Sequence, residues 1–312
     1  MDILGEGKGK QFAQTFDITA NGNFEGVNIP NLLKSNDLES DFSEEIQKLY
    51  DYRKKRTKLH LDDKILLSWN TLMISAFSML YRVSHNEKYL QAAENAERFI
   101  EQNLCDGLQL FTSWRDGKLS EKSFLDDYAF YIASLIELYN STLDMYYLEK
   151  AKQFCDEAVR RFADCQSGGF YLCEAENTEL FMNPKETYDG AIPSGNAVMA
   201  YNFVRLYQLT KEEKYCTLAE KQLSFLSAQS QDYPAGHSMF LLAKLLHENP
   251  PEHIVIAMKH DSDLPEIQEQ LPFLANVSIF RDSIDYPLKN DRVTYYVCKN
   301  HVCLPPTNNL DL

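Results

Sequence analysis

The stretch YDGAIPSGNAVMAYNFVRLY, Tyr188–Tyr207, decides the fold. A polar, tightly turned entrance leads into residues that are apolar on nearly every side, which is typical of a helix packed on both faces. The same register recurs in two upstream segments, which end at Tyr139 and Tyr81. In each copy a second tyrosine follows eight residues later and an alanine four residues after that: Tyr89, Tyr147 and Tyr215, with Ala93, Ala151 and Ala219. This recurrence indicates copies of one supersecondary unit, a helical hairpin.

Each copy pairs an inner helix, apolar nearly all round, with an amphipathic outer helix. The predicted inner helices are Ile65–Val83, Leu125–Thr142 and Pro193–Leu209, the outer ones are Glu87–Leu104, Tyr147–Phe162 and Glu212–Ala228, and a shorter fourth copy runs from Pro234 through Met239 to Leu246. Short strand pairs precede the second and third inner helices: Leu108–Trp114 turning at Asp116–Gly117, and Gly169–Cys173 returning at Glu179–Asn183.

Stacked hairpins of this kind predict a mainly α fold, an (α/α) toroid in which inner helices surround an axis and the β-hairpins gather at one mouth. Four hairpins or fewer make this a partial or open version of a six-hairpin toroid. We expect the toroid to occupy residues 1–250, with a loop region and an edge strand (Gln11–Ile18) over 1–42 and an amphipathic helix over Ser43–Arg56.

A small α/β appendage is predicted for residues 251–312, after Pro250–Pro251. Its expected elements are three strands, one helix and a tail: His253–Ala257, Val277–Phe280 and Tyr295–Cys298, then Leu264–Leu271, and Leu304–Leu312.

Charge and composition narrow the class of partner. The 312 residues carry a formal net charge of -15, which repels a phosphate backbone or an anionic bilayer, so neither nucleic acid nor membrane is expected as a partner. No export signal or spanning run is present, which predicts a cytoplasmic protein. We expect the seven cysteines to be mostly small core residues in a reducing compartment. No cofactor or metal is expected, and Cys298 and Cys303 with His301 between them are the one alternative.

Five motifs carry a resemblance to a known family. They are GNFEG (Gly22–Gly26), DDKILLSWNTLMISA (Asp62–Ala76), FLDDYAFYIASLIELY (Phe124–Tyr139), DGAIPSGNAVMAYNFVRLY (Asp189–Tyr207) and CKNHVCLPP (Cys298–Pro306). In this order they resemble the C-terminal half of the spermatogenesis-associated thioredoxin-domain family, over nearly the whole chain. The resemblance implies a six-hairpin α/α toroid, similar to N-acylglucosamine 2-epimerases and six-hairpin glycosidases, preceded by a thioredoxin-like domain.

Two parts of that family have no counterpart in the printed sequence. One is the thioredoxin-like domain with its redox cysteines, and the other is the first toroid hairpins, with a His-Phe-Glu-Lys motif expected to point into the cavity. The resemblance therefore does not extend to functions that need those groups. Membership of a protein family restricts the possible fold more strongly than it restricts the possible reaction.

Equivalent positions on the inner helices place polar side chains at one mouth. These are Ser68-Trp69-Asn70, Asp126-Asp127-Tyr128 and Ser194-Gly195-Asn196. An aromatic ring beside carboxylates and amides suits a sugar, which offers an apolar face and hydroxyl groups. The predicted contact residues are Trp69, Asn70, Trp114, Arg115, Asp126, Tyr128, Ser194, Asn196 and His237. The alternatives are helix caps for Asp126 and Ser194, core packing for Trp69, a surface hairpin for Trp114 and Arg115, and a loop or cap for His237.

Asp127 is the predicted general acid or base. Neighbours on a helix point about 100° apart, whereas glycoside hydrolysis needs two carboxyl groups that face each other across the bond. Asp126 therefore cannot be its partner, and Asp189 or Asp63 is expected instead.

Two function hypotheses follow. The first is a carbohydrate-active enzyme, glycosidase-like or epimerase-like, or a sugar-binding domain. The second is a non-catalytic interaction module that positions a thioredoxin-like partner. The enzyme hypothesis requires Trp69, Asp127, Asp189 and Asn196 to line one cavity, and carboxylates that cap helices count against it.

Overall fold

The structure is a computed structural model that describes residues 2–310 apart from 36, 38, 57, 59, 121, 177–180, 282, 300 and 301. The chain forms two compact units, Met1–Asp63 and Lys64–Leu312. The predicted domains, 1–250 and 251–312, do not coincide with these units.

The first unit contains two helices, α1 (Glu6–Thr15) and α2 (Ser43–Arg56). The bounds predicted for α2 are confirmed. The edge strand expected over Gln11–Ile18 is wrong, because α1 occupies most of it. Phe12 and Thr15 are buried one helical turn apart, and the Phe12 ring lies 4.4 Å from that of Phe16 and 5.6 Å from that of Phe42. The spacing of these aromatic residues follows the period of a helix. Their packing outweighs the short alternation of apolar and polar residues that predicted a strand.

The second unit begins with three complete helical hairpins and the start of a fourth. Its elements are β1 (Ile65–Leu66), α3 (Leu67–Ser84), α4 (Glu87–Asn103), β2 (Cys105–Asp106), β3 (Gln109–Leu110), β4 (Ser113–Arg115), β5 (Lys118–Leu119), α5 (Leu125–Thr142), α6 (Met145–Phe162), α7 (Gly195–Thr210), α8 (Glu213–Gln229), a 3₁₀ turn (Pro234–His237) and α9 (Ser238–Glu248). The inner helices α3, α5, α7 and α9 pack side by side in that order, and α4, α6 and α8 each pack on their own inner partner. The predicted mainly α, hairpin-based toroid fold is confirmed.

The hairpin corners repeat as the sequence register requires. The residues that end α3, α5 and α7 are His85, Leu143 and Lys211, with φ values of 52°, 58° and 59°. Each of them donates its backbone N–H to the carbonyl of the equivalent tyrosine, at 2.7, 2.6 and 2.9 Å. A left-handed residue at this position closes the last turn and reverses the chain. The shared tyrosine register therefore marks one corner geometry used three times.

The core lies between the inner and outer helices. In α5 nearly every residue is buried, because α3 and α7 flank it and α6 covers it. Large aromatic side chains fill the interior: Tyr128, Tyr131, Tyr139, Phe154, Phe162 and Phe203 are at most 2% exposed. Within the described residues, α3 and α9 each have an inner-helix neighbour on one side, as expected for the two ends of an open row.

The chain continues into a four-stranded sheet with β6 (His253–Met258), α10 (Leu264–Gln270), β7 (Asn276–Arg281), β8 (Thr294–Lys299) and β9 (Val302–Cys303). The strand order is β7-β6-β8-β9, with β6 and β7 parallel and the other pairs antiparallel. The sheet is tied to the helices: the Tyr139 hydroxyl donates to the Val277 carbonyl at 2.8 Å, and Arg205 donates to Asn276 Oδ1 at 2.6 Å. These bonds hold the appendage against the C-terminal ends of α5 and α7.

Three smaller predictions concern Cys298 and Cys303, the second strand pair and the C-terminal tail. Cys298 and Cys303 form a disulfide between β8 and β9, and His301 lies outside the described residues. The predicted strand pair Gly169–Cys173 with Glu179–Asn183 is not formed in the described part of that segment. There the Asn183 side chain bonds both the N–H and the carbonyl of Cys173, at 3.1 and 3.0 Å, in place of a strand partner. In the described part of the tail, Thr307 pairs with Tyr295.

Candidate functional site

The starts of the four inner helices are joined to one another by three carboxylates, Asp126, Asp127 and Asp189, which we call the helix-start carboxylates. Asp127 lies in the first turn of α5, and its Oδ2 accepts the backbone N–H of Phe124 at 3.0 Å. Ser68, in the first turn of α3, also donates to Asp127 through its backbone and its hydroxyl. Asp127 therefore caps its own helix and joins it to the start of α3.

Asp126 makes the next connection along the row. Its Oδ1 accepts the backbone N–H of Gly195, the first residue of α7, at 3.0 Å. A Cβ atom at Gly195 would lie 2.3 Å from that oxygen, so only glycine permits the bond. The alternative that Asp126 caps a helix is therefore observed, but the helix is the neighbouring one.

Asp189 joins α7 to α9. Its Oδ1 accepts the backbone N–H and the hydroxyl of Ser194 at 2.9 and 3.1 Å, and its Oδ2 accepts the N–H of Met239 at 2.7 Å. Ser194 is the N-cap of α7, since its hydroxyl accepts the N–H of Ala197 at 3.3 Å. Both oxygens of Asp189 are thus used by helix starts.

These contacts satisfy free N–H groups at the positive ends of the helix dipoles. Each carboxylate has at least one oxygen committed to a backbone amide, and Asp127 is only 2% exposed. Asp63, the third predicted catalytic group, is an exposed residue at the end of the first compact unit. The structure brings Asp127 and Asp189 to the same end of the helix row, in capping roles.

Burial raises the pKa of Asp127 to about 6, and the nearby Asp126 adds to the rise. The pKa of Asp126 is also raised, first by burial and then by Glu186. Carboxyl groups with raised pKa values occur at catalytic sites as well as in buried structural networks. The shift alone does not distinguish the two.

Replacing Asp127 by Asn is expected to change how stability depends on pH. The folded-state pKa of about 6 exceeds the ordinary value of 3.8, so the proton is held more tightly in the folded chain. The contribution is fully present below the ordinary pKa and is lost as pH rises through about 6. The unfolding free energy of wild type minus that of Asp127→Asn should fall by about 3 kcal/mol between about pH 3 and pH 7, measured by urea titration. The exposed Asp232→Asn serves as the control, and a pH-independent difference for Asp127→Asn would contradict the assignment.

Asn196 has a complete set of buried partners. It is 0% exposed, its Oδ1 accepts from the Phe170 N–H at 2.8 Å, and its Nδ2 donates to the carbonyls of Phe170 and Glu186 at 2.9 and 2.8 Å. Gln222 of α8 also donates to its Oδ1 at 3.0 Å. The side chain holds the loop before α7 against α7 and α8, away from the surface.

Three other predicted contact residues have structural partners. Tyr128 is fully buried, and its hydroxyl donates to the Leu108 carbonyl at 2.8 Å, which fixes the β2–β3 hairpin on α5. Asn70 donates to the Leu66 carbonyl at 2.7 Å. His237 is 6% exposed, with Nδ1 3.0 Å from the Tyr233 carbonyl oxygen.

Trp114 and Arg115 lie on β4. The Trp114 ring meets Phe99 edge to face at 5.5 Å, and it packs against the main core as a half-buried residue. Arg115 lies 3.7 Å from Asp116 at the hairpin turn. The hairpin alternative fits the observed position of both residues.

Aromatic rings are exposed at the end where the inner helices begin. Trp69, Phe124, Tyr188 and Tyr233 are 63%, 38%, 56% and 57% exposed, and we call them the mouth aromatics. Tyr188 and Tyr233 stack, with centroids 6.3 Å apart and planes at 16°. Only Trp69 was singled out from the sequence. Phe124 directly precedes α5 and Tyr233 directly precedes the 3₁₀ turn, a position that could have identified these two, whereas Tyr188 lies in the loop before α7.

A cavity of about 440 Å³ lies at the other end of α3 and α5, against the appendage. Its walls include Arg82, Asn140, Leu264, Phe273 and Val277, and none of the predicted site residues. Arg82 donates to Glu137 at 2.5 Å and to the Phe273 carbonyl at 2.9 Å. In the part of the chain that the structure describes, no group of three or more His, Cys, Asp or Glu is placed to hold a metal ion, and no helix is long and apolar enough to cross a membrane.

Comparison with known proteins gives relatives but no matching family model. The chain is 30% identical over 298 residues to spermatogenesis-associated protein 20 of Rattus norvegicus, an alignment that covers 84% of this chain and 37% of the relative. The human protein of that name is 28% identical over 298 residues. The chain is homologous to the C-terminal portion of spermatogenesis-associated protein 20. The family resemblance carried by the five motifs is thereby confirmed, and the chain spans 37% of the length of these relatives.

Among solved structures, the chain is similar to a cellobiose 2-epimerase from Spirochaeta thermophila, with 24% identity, a TM-score of 0.42 and coverage of 51% of this chain and 42% of that one. It is also similar to a GH76 α-mannanase from Bacteroides thetaiotaomicron, with 19% identity, a TM-score of 0.44 and coverage of 55% and 47%. Structural similarity at these TM-scores gives no information about the site or the activity of this chain.

Proposed function

We propose that this chain binds a carbohydrate at the end of the helix row where the mouth aromatics are exposed. The observation that carries the proposal is the exposed, stacked pair Tyr188 and Tyr233 at the end of the helix row where Trp69 is also exposed. A large exposed aromatic ring leaves apolar surface in contact with water, which is unfavourable. A ligand that covers the ring removes this exposure. A pyranose ring offers an apolar face to such a ring.

Polar groups for the sugar hydroxyls lie at the same end. Glu186 is exposed and close enough to Asp126 to raise its pKa, and Asp126 is half-buried. A few placed polar groups among aromatic side chains are the usual composition of a small-molecule site. The substrate class proposed is therefore a neutral mono- or oligosaccharide, since anionic sugars would be repelled by these carboxylates.

We propose that the chain binds the saccharide and does not convert it. Hydrolysis needs two carboxyl groups that face the scissile bond, and Asp127 and Asp189 use their oxygens on backbone amides. Glycosidase-like or epimerase-like catalysis with Asp127 and either Asp189 or Asp63 goes beyond this binding proposal and stays a prediction. It would require these carboxylates to exchange their amide partners for substrate.

Trp69 and Trp114 are the two tryptophans of the chain, which allows a direct test. In a Trp114→Phe variant, the fluorescence of Trp69 alone reports on glucose, mannose, N-acetylglucosamine, cellobiose and mannobiose. We expect at least one of them to shift the emission, and Tyr188→Ala to weaken its affinity about tenfold, from the loss of about 1.4 kcal/mol of ring contact. Since Tyr188 is exposed, the melting temperature should change little. Failure of every saccharide to alter fluorescence or heat of mixing would overturn the proposal.

The interaction module is the second candidate, and the exposed apolar face of α3 favours it. Trp69, Met73 and Val83 of that face are 63%, 52% and 65% exposed, and such surfaces mark protein contacts. Thermal stabilisation by a thioredoxin-like protein, with none by the saccharides, would support this candidate over carbohydrate binding.

A further inference from the structure

The Cys298–Cys303 disulfide lies at the edge of the appendage sheet. It joins β8 to β9, and β9 is the last strand in the order β7-β6-β8-β9. Cys303 is exposed and Cys298 is half-buried, whereas every other cysteine of the chain is a free thiol. Structural disulfides resist reduction, and exposed disulfides are the labile, regulatory or catalytic ones. The position of this disulfide therefore leaves Cys303 open to attack by an external thiol.

Backbone hydrogen bonds hold this edge of the sheet independently of the disulfide. Leu304 donates its N–H to the Val297 carbonyl at 2.9 Å, and Tyr295 and Thr307 exchange two bonds at 2.8 and 3.1 Å. The cross-link spans only five positions of sequence, and the stabilisation that a disulfide gives decreases as the loop that it closes becomes shorter. We therefore expect the sheet to stay folded when the disulfide is reduced.

A histidine and a positive charge lie close to the disulfide. His253 is directly opposite Cys298 in the pairing of β6 with β8, and Cys298 is directly opposite Cys303 in the pairing of β8 with β9. Directly opposed residues of antiparallel strands project from the same face of a sheet. Burial, and to a smaller degree the charge of Lys211, lower the pKa of His253 to about 4. A neighbouring cation stabilises a thiolate, which favours release of Cys298 when the disulfide opens.

We propose that Cys298–Cys303 is a redox-active disulfide that oxidises an external dithiol by thiol–disulfide exchange. A thiolate of the dithiol attacks the Cys303 Sγ, the bond between the two cysteines breaks, and Cys298 leaves as a thiolate that takes up a proton. The second thiolate of the dithiol then attacks the dithiol sulfur of the mixed disulfide and releases Cys303. The chain gains two electrons and two protons, and the dithiol becomes a disulfide.

This activity is separate from carbohydrate binding. The disulfide belongs to strands β8 and β9 of the appendage, whereas the mouth aromatics lie where the inner helices begin. Loss of saccharide binding would leave the exchange unaffected, and loss of the exchange would leave saccharide binding unaffected.

The rate of reduction in the folded chain is the first test. The full chain is treated with dithiothreitol, its thiols are blocked with a maleimide, and mass spectrometry reports the state of Cys298 and Cys303. We expect the rate in native buffer to lie within about tenfold of the rate in urea, where the disulfide is accessible in any case. A disulfide that opens only through unfolding would be slower in native buffer by a factor of about 10³ or more, which is the inverse of the unfolded fraction.

Matched variants test the electron balance. Wild type should form one molecule of oxidised dithiothreitol for each chain, and Cys303→Ser should form none. Cys165→Ser, which removes an exposed free thiol, is the control and should behave as wild type. With reduced glutathione as the probe, the mixed disulfide should map to Cys303, because this sulfur is the exposed one.

Two results would overturn the proposal. One is a disulfide that dithiothreitol reduces only after urea has unfolded the chain, since this is the behaviour of a structural cross-link. The other is a wild-type chain in which Cys298 and Cys303 stay free thiols after treatment with oxidised glutathione. Both results come from wild type, so they decide the matter even where a serine variant lowers stability.

Discussion

Replacement of Glu137 by Gln is expected to lower the free energy of unfolding by about 3–5 kcal/mol. Glu137 and Arg82 lie 2.5 Å apart with side chains 4% and 15% exposed. Burial lowers the pKa of Arg82, and Glu137 opposes that effect. Without the carboxylate, a guanidinium shielded from water loses its counter-charge, and its Nε has no hydrogen-bond partner among the residues that the structure describes. Urea titration at neutral pH measures the change.

An exposed ion pair provides the comparison. Lys214 and Asp156 lie 2.8 Å apart and are 43% and 55% exposed, so Asp156→Asn should change stability by about 1 kcal/mol or less. A Glu137→Gln effect no larger than this would show that Arg82 reaches water or another partner in solution. The double replacement Arg82→Leu with Glu137→Leu should recover part of the loss, because apolar side chains need no counter-charge.

Asn196→Ala is expected to lower the free energy of unfolding by about 3 kcal/mol or more. Removal of the amide leaves the buried N–H and carbonyl of Phe170 without their hydrogen-bond partner, at about 1–3 kcal/mol for each group. Phe170 bonds Asn196 through both groups, at 2.8 and 2.9 Å. Thermal and urea unfolding measure the loss.

A conservative change separates this structural role from ligand contact. Asn196→Asp retains one acceptor for the Phe170 N–H but loses the donor to its carbonyl, and it buries a charge, so it should also destabilise. If either variant kept wild-type stability but lost saccharide binding, Asn196 would be a ligand contact and the structural assignment would be wrong.

The sequence predicted the helices well, for a physical reason. The inner helices α5 and α7 are buried on nearly all sides, so their composition is distinctive. The tyrosine register marked the shared hairpin corner at Tyr81, Tyr139 and Tyr207. The bounds of α2 and α5 were predicted to the residue. Helix α1 was missed because three of the first nine residues are glycine, and glycine usually disfavours a helix. Packing of Phe12 against Phe16 and Phe42 outweighs that preference.

The site was harder to predict because its hydrogen bonds connect distant segments. Asp126 could be seen as a cap, but its amide partner belongs to Gly195, 69 positions along the chain. No local pattern carries that information. Tyr188 and Tyr233 lie in loops, where hydrophobic periodicity gives no signal, so their stacking emerges only from the fold.

The helix-start carboxylates also constrain how this architecture changes by gain or loss of a repeat. A hairpin and the acid that secures its first amide lie in different segments, so deletion of one copy leaves either an orphaned acid or an unsecured helix start. Gly195 adds a steric condition, since any larger residue there displaces Asp126. Duplication or recombination in such a row is therefore tolerated best when its breakpoints fall so that donor and acceptor are transferred together.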